Sequence, residues 1–350
     1  MFITGLSTAV PARSFTQAEC WEALQRANRP EITARTRAIL QGILNHDNGI
    51  ERRSLALDTL DEGFDLDPDT LHRRFVRHAP ALASQAAAKA LADAGLEPGA
   101  IDGVIVSTCT GYLCPGLTSY VAENLGLRAD AVLLDLVGQG CGAALPNLRA
   151  AEALLASRCE HVLSICVEVC SAAFYLDNDL GVLVSACLFG DGAGAAVVST
   201  HPKPGRRAVE WKAAASFTNP KQRDALRFEQ RGGMLRNILT LPVPQLAAQH
   251  ARRVLDEVLE RESMPRTEVG TWIVHAGGRK VLDELRREIG LDAGDVSWSA
   301  GVLREFGNLS SPFVLFVLKA ALEGHAPPGW WWMSSFGAGF SCHGALLRVA

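Results

Sequence analysis

The sequence lacks the marks of several classes of protein. It has no excess of one charge: 34 Lys and Arg stand against 38 Asp and Glu, a formal net charge of −4, with no long basic run. A chain without a basic field is not expected to bind nucleic acid. No apolar run is long enough to span a bilayer, and Met1-Phe2-Ile3-Thr4 leads into a strand-like segment without a basic leader. Neither a membrane span nor a signal peptide is therefore expected. A disulfide framework is missing as well, since nine cysteines on a long chain without a leader suit the reduced thiols of a cytoplasmic protein. Paired metal-ligand spacing is absent, because neither Cys109 with Cys114 nor Cys166 with Cys170 has a second CxxC or an HxxxH beside it. What remains is an ordinary globular composition, 48% hydrophobic and 21% charged, over 350 residues. That length allows one large two-lobed unit or two domains.

The chain alternates between strand-like and helix-like segments. Strands are expected near residues 1–10, 103–107, 131–137, 161–167 and from the Gly-rich Phe189 turn to Ser199. Helices are expected at 16–27, where Thr16 opens one, at the Ala-rich 82–94, at 117–125, from Cys141 to about Ser157, and through Ser185. His201-Pro-Lys-Pro-Gly205 is a clear break. Beyond it the pattern restarts with strands at 208–215, 272–274, 330–333 and 345–349, and helices at 244–261, 280–289 and 311–323. Repeated β–α–β units predict an α/β fold with parallel strands. Each half closes with a Gly-rich turn and an apolar strand, FGDGAGAAVVS and FGAGFSCHGALLRV. Two similar α/β halves, 1–200 and 206–350, are therefore expected.

Three residues stand at sharp Gly-marked turns beside apolar strands. Cys141 lies in LVGQGCGAALPNLR, with Gly138, Gly140 and Gly142 clearing space around the sulfur. A thiol opening a helix meets unpaired N–H groups and the positive end of the dipole, which favour thiolate. A buried structural cysteine is the alternative. Pro146 falls slightly late for a first-turn proline, so a kinked start of this helix is expected. His275, in WIVHAGGRKVL, is either a core histidine or an acid–base group. Asn308, in FGNLSSP, is either an active-site amide or part of the cap of the following helix. Together, thiol, imidazole and amide suit acyl transfer onto sulfur, with His and Asn N–H groups stabilising an enolate. A papain-like hydrolase also uses Cys, His and Asn, but with its cysteine near the mature N-terminus of a secreted chain.

These motifs, in this order, resemble the thiolase-fold condensing enzymes, most closely the type III polyketide synthases of the chalcone and stilbene synthase family and its bacterial relatives. The likeness covers nearly the whole chain, through GIERR, CPG, GQGCGAALPNLRAAEALL, LFGDGAGAAV, HAGGRKVL, GNLSSPFVLF and SFGAGF. HxGGxxxL and GNxSS separate it from fatty-acid-initiating ketoacyl synthases of the same fold. The resemblance implies a five-layered αβαβα fold of two similar halves and a homodimer. It implies that Cys141 carries starter and growing chain while His275 and Asn308 drive malonyl-CoA decarboxylation and condensation. Coenzyme A thioesters are substrates, and no separate cofactor is implied. Phe174 is the implied gatekeeper, and Cys109, Ser310 and Gly337 are implied to border the substrate. Cys114 is implied to reach into the partner's cavity, and Arg52 and Arg53 to face the coenzyme A phosphates. The family's terminal Gly-Phe-Gly-Pro-Gly reads Ser335-Phe336-Gly337-Ala338-Gly339 here, and no Phe lies between Arg231 and Pro244 where a second gatekeeping aromatic is usual. The competing readings are a ketosynthase performing a single condensation, fed by coenzyme A or a carrier protein, and a catalytically silent partner subunit.

Overall fold

The computed structural model describes residues 1–27, 29–45 and 48–350. Strand β1 (Phe2–Ala9) is followed by the short β2 (Ser14–Thr16). Thr16 then caps helix α1 (Gln17–Arg26). Its hydroxyl accepts the Glu19 N–H and the Glu19 carboxylate accepts the Thr16 N–H, which satisfies two groups that the first turn leaves open. Helix α2 (Ala34–Asn45) and strand β3 (Arg52–Ser54), paired with β2, complete this region.

Helix α3 (Pro68–Ala94) is much longer than the expected 82–94 stretch. Asp67 caps it, Pro68 sits where no N–H is needed, and Gly95 closes it at φ 70°. It continues through Pro80 despite the lost backbone hydrogen bond, because the turns on either side bury Leu71, Phe75 and a file of alanines. Ala79, Ala83, Ala86, Ala87, Ala90 and Ala94 recur at helical spacing, and such small side chains let the helix lie close on β1. A Cβ on Gly5 would come within 2.2 Å of the Ala90 carbonyl oxygen.

The first half continues with β4 (Gly103–Thr108), α4 (Leu117–Leu125), β5 (Val132–Val137), α5 (Ala144–Leu155), β6 (His161–Glu168), α6 (Leu180–Leu188) and β7 (Gly192–Ser199). The second half begins with β8 (Val209–Thr218) and the hairpin of β9 (Leu226–Arg231) and β10 (Met234–Leu239). Helix α7 (Val243–Arg261), β11 (Val269–Val274), α8 (Arg279–Ile289) and α9 (Ser297–Phe306) follow, then α10 (Phe313–Glu323), β12 (Gly329–Gly337) and β13 (Ser341–Val349). Helices α2 and α9 and the β9–β10 hairpin lie outside the expected set. The hairpin turns on Gly232 and Gly233 at φ 59° and 79°, a conformation open to glycine.

One continuous sheet runs in the order β11-β12-β13-β8-β1-β7-β6-β4-β5. Read outward from its centre, the two sides repeat each other. On one side β1 pairs antiparallel with β7, β7 antiparallel with β6, and β6 parallel with β4. On the other, β8 pairs antiparallel with β13, β13 antiparallel with β12, and β12 parallel with β11. Only β5, parallel to β4, has no counterpart. The halves meet where Phe2 and Ile3 pair with Glu210 and Val209. Helix α3 covers the outer face of the first half and α7 that of the second, while α5 and α10 each touch strands of both halves. The result is the five-layered αβαβα arrangement. Replacing Gly5 with Ala is expected to destabilise the protein by about 3 kcal/mol, since backbone rather than a flexible side chain must give way. Denaturant unfolding at unchanged slope checks this, and an unaltered midpoint would refute the close α3–β1 contact.

Candidate active site

Cys141 does not open helix α5. It lies in a 3₁₀ turn, Gly140–Gly142, and α5 starts only at Ala144. Pro146 accounts for part of this offset. Lacking an N–H, it cannot bond back to the Gly142 carbonyl, which instead accepts the Ser335 hydroxyl of β12 at 3.0 Å. That bond holds the cysteine turn against the strand carrying Gly337. A Cβ on Gly337 would stand 2.3 Å from the Gln139 carbonyl oxygen and 2.5 Å from the Gly142 nitrogen, so no side chain fits there.

The expectation of a thiolate favoured by the helix is not met, because burial dominates. It pushes the Cys141 thiol up to about 12, with the Glu168 charge adding to the rise. The Ser310 hydroxyl, 3.3 Å from Sγ, and the cysteine's own N–H oppose the rise without reversing it.

Asn308 is not the helix cap. The residue before α10 is Pro312, and no side chain caps that helix. Asn308 Oδ1 accepts the Ser310 N–H at 2.8 Å and its Nδ2 donates to the Gly277 carbonyl at 3.2 Å. The first bond supports Ser310 at φ 59°, a left-handed conformation costing a non-glycine residue about 1–2 kcal/mol. The second ties the Asn308 loop to the turn after His275.

His275 directly follows β11, and its N–H donates to the Ser334 carbonyl. Its ring stands edge-on to Phe313 and Phe336, with centroids 5.2 and 5.0 Å away. Both ring nitrogens are buried without a hydrogen-bond partner. Leaving one such group unpaired costs about 1–3 kcal/mol, so a doubly orphaned imidazole marks a place prepared for something else to bind. Burial also lowers its pKa to about 3, which keeps the ring neutral.

Glu168 was not singled out by the sequence, although a lone acid closing an apolar strand was a visible signal. It is fully buried and sits at the centre of the site. Its carboxylate accepts from Ser311 Oγ at 2.6 Å, Thr110 Oγ1 at 2.9 Å, the Cys109 N–H at 3.0 Å and Cys109 Sγ at 3.3 Å. Burial raises its pKa and these donors pull it back. Ser310 Oγ lies within reach of Cys141, Glu168 and Cys109 together. Cys109 and Ser310 thus stand beside the Cys141 sulfur.

A narrow cavity of about 40 Å³ reaches Cys141 and is lined by Cys109, Phe174, Phe189, Arg227, Asn237 and Ser310 among others. It adjoins a wider one of about 680 Å³, with Cys109, Gly140, Arg227, Phe228 and Ala338 lining both. Phe174 also faces an apolar cavity against α1 and α2, so it stands as a wall between two spaces. Phe189, missed in the sequence, is an aromatic held directly against Asn308 by a backbone bridge.

One expected residue is elsewhere. Arg53 is buried and spent on Gln17, the Ala186 and Phe189 carbonyls and Cys20, so it is a structural cation and has nothing left for a phosphate. Cys114 is exposed beside a cis bond to Pro115 and does not line the cavity of its own chain. Arg52 is half-buried near Glu19.

Residues 50–214 match the family profile described as FAE1/Type III polyketide synthase-like protein, and residues 214–349 match the chalcone and stilbene synthase C-terminal domain. The chain belongs to the type III polyketide synthase family. Among its relatives, 3,5-dihydroxyphenylacetyl-CoA synthase of Streptomyces toyocaensis is 31% identical over 99% of this chain and 89% of that protein. The 1,3,6,8-tetrahydroxynaphthalene synthase of Streptomyces peucetius subsp. caesius is 31% identical over 99% and 92%. The crystal structure of PKS-I from the brown alga Ectocarpus siliculosus superposes with a TM-score of 0.91 at 26% identity, covering 99% of this chain and 98% of that one. This type III polyketide synthase is accordingly an acyl-transferring condensing enzyme, and the single-condensation ketosynthase reading gives way.

With both groups held neutral by burial, thiolate can form only if the proton passes to a partner able to stabilise the ion pair. Cys141 in the unaltered protein, raised to about 12 by burial, should therefore ionise late. Its alkylation should be slow at pH 7 and keep rising with pH well above 9. A plateau below pH 9 in the unaltered protein would refute control of this thiol by burial.

Proposed function

We propose that this synthase loads an acyl-CoA starter on Cys141, extends it by repeated decarboxylative condensation with malonyl-CoA, and releases a cyclised polyketide. The observation that carries the reading is the connection from Cys141 through Ser310 and Asn308 to the His275 turn, ending at an imidazole with both nitrogens free.

In loading, the Cys141 proton passes to His275, Sγ attacks the thioester carbonyl, and the bond to the coenzyme A sulfur breaks. The imidazolium then returns its proton to the departing thiolate. In extension, malonyl-CoA loses carbon dioxide, and the electron pair of the broken bond becomes an enolate. Its oxygen is held by the His275 N–H and by the Asn308 Nδ2–H not given to Gly277. The enolate carbon attacks the acyl group on Cys141 and expels the cysteine thiolate. No prosthetic group takes part, and the coenzyme A thioesters are substrates. Arg52 is the remaining candidate for their phosphates.

The reading includes a homodimer in the cytoplasm. Strand β5 is one edge of the sheet and exposes Val132, Leu133, Leu134 and Val137, with Tyr112 barer still. An apolar edge strand of this kind calls for a cover. Cys114 is exposed on the following turn of the same chain end of β4, in keeping with a residue offered to a partner.

Intact-protein mass spectrometry with a panel of acyl-CoA starters is expected to show one acyl adduct on Cys141 and none in a Cys141→Ala variant. An adduct surviving in that variant would refute the assignment. Asn308→Ala should still load a starter but lose malonyl-CoA decarboxylation by about a hundredfold or more. Unimpaired release of carbon dioxide would exclude Asn308 from that step.

A further inference from the structure

Among the described residues, Arg227 is the only charged one lining the cavity around Cys141, and it lines the wider cavity too, so it stands where the two adjoin. Its neighbours in the lining are largely apolar: Leu226, Phe228, Val182, Phe189 and Ala338. Strand β9 brings it there, paired in the hairpin opposite Ile238. Two of its N–H groups are engaged, one with the Asp224 carbonyl at 2.8 Å and one with Glu229 at 3.4 Å. Both acids pair with it, but loosely. The Asp224 carboxylate is 3.7 Å from Nε and 72% exposed, and Glu229 is shared with Arg236 at the same 3.4 Å. The guanidinium keeps further N–H donors, the group that pairs best with a carboxylate.

We infer that Arg227 is a specificity-determining residue that selects a short acyl thioester carrying its own carboxylate, a malonyl- or succinyl-type group, as the starter on Cys141. The inference deepens the proposed function and rests on Cys141 being the loading site. Position decides the fate of the carboxylate. Loss of carbon dioxide requires the negative charge to move into the thioester enolate, and apolar surroundings such as the Phe313 and Phe336 rings beside His275 favour that. An ion pair stabilises the charge where it is and opposes its loss. A carboxylate held by Arg227 is therefore kept, while the carboxylate of an extender at the His275–Asn308 end is given up. Loading itself is balanced as before: the bond to coenzyme A breaks, the bond to Sγ forms, and the carboxylate is unchanged.

The test measures single-turnover acylation of Cys141 by succinyl-CoA and by butyryl-CoA. They have similar length, and the succinyl carboxylate cannot leave through a thioester enolate. The unaltered enzyme should load succinyl faster. In Arg227→Gln the succinyl-to-butyryl ratio should fall about tenfold, and Arg227→Lys should retain part of the preference. A preference for butyryl in the unaltered enzyme, or equal ratios in the unaltered and Gln proteins with Cys141 still acylated, would overturn the inference. Absence of any adduct on Cys141 from any acyl-CoA would instead overturn the proposed function, and this inference with it.

Discussion

One buried carboxylate organises the centre of this enzyme. Glu168 ends β6, yet its donors come from both halves of the chain: Thr110 and Cys109 after β4, Ser310 and Ser311 before α10. A carboxylate out of water must be surrounded by donors, so the loops supplying them are drawn to it and to one another. The loop that brings Ser311 to Glu168 also carries Asn308, and Ser310 of the same loop touches Cys141. The site's geometry follows from satisfying that one buried carboxyl group.

The same burial sets the electrical character of the reaction centre. Cys141 and His275 are each pressed toward their neutral forms, one up to about 12 and the other down to about 3. A neutral imidazole can accept a proton at one nitrogen and donate from the other, which is what the proposed loading and enolate stabilisation would ask of it in turn. The pocket is uneven as well. Aromatic rings enclose the His275 end, whereas the β9 edge brings the guanidinium of Arg227.

The repeat of strand order about the β1–β8 contact explains why the reactive groups come from opposite halves. Cys141 follows β5 and Glu168 ends β6 in the first; His275 follows β11 and Asn308 precedes α10 in the second. The parallel strands of each half deliver their turns to one region, and α5 and α10 lie between the halves in contact with both. Close backbone approach there leaves no room for a side chain at Gly337.

Much of this was legible in the chain itself. Helix 117–125 and the main strands follow from periodicity and Gly punctuation, and the Gly-flanked Cys141, His275 and Asn308 stand out by residue type and turn signal. Local sequence could state these because they depend on neighbours a few residues away. It could not state that α3 runs through Pro80, since burial of Phe75 and the alanine file overrides the local cost. Nor could it separate Arg52 from Arg53, two adjacent cations of which one is consumed inside the protein. Taken alone, Asn308 read more readily as a cap, until its amide met Gly277, 31 residues away in sequence. The ionisation of Cys141 was inferred from a helix end and decided by desolvation. Residue type and local spacing determined which groups could react. Burial and long-range hydrogen bonding, which exist only once the halves have packed, decided which of them meet and in what protonation state.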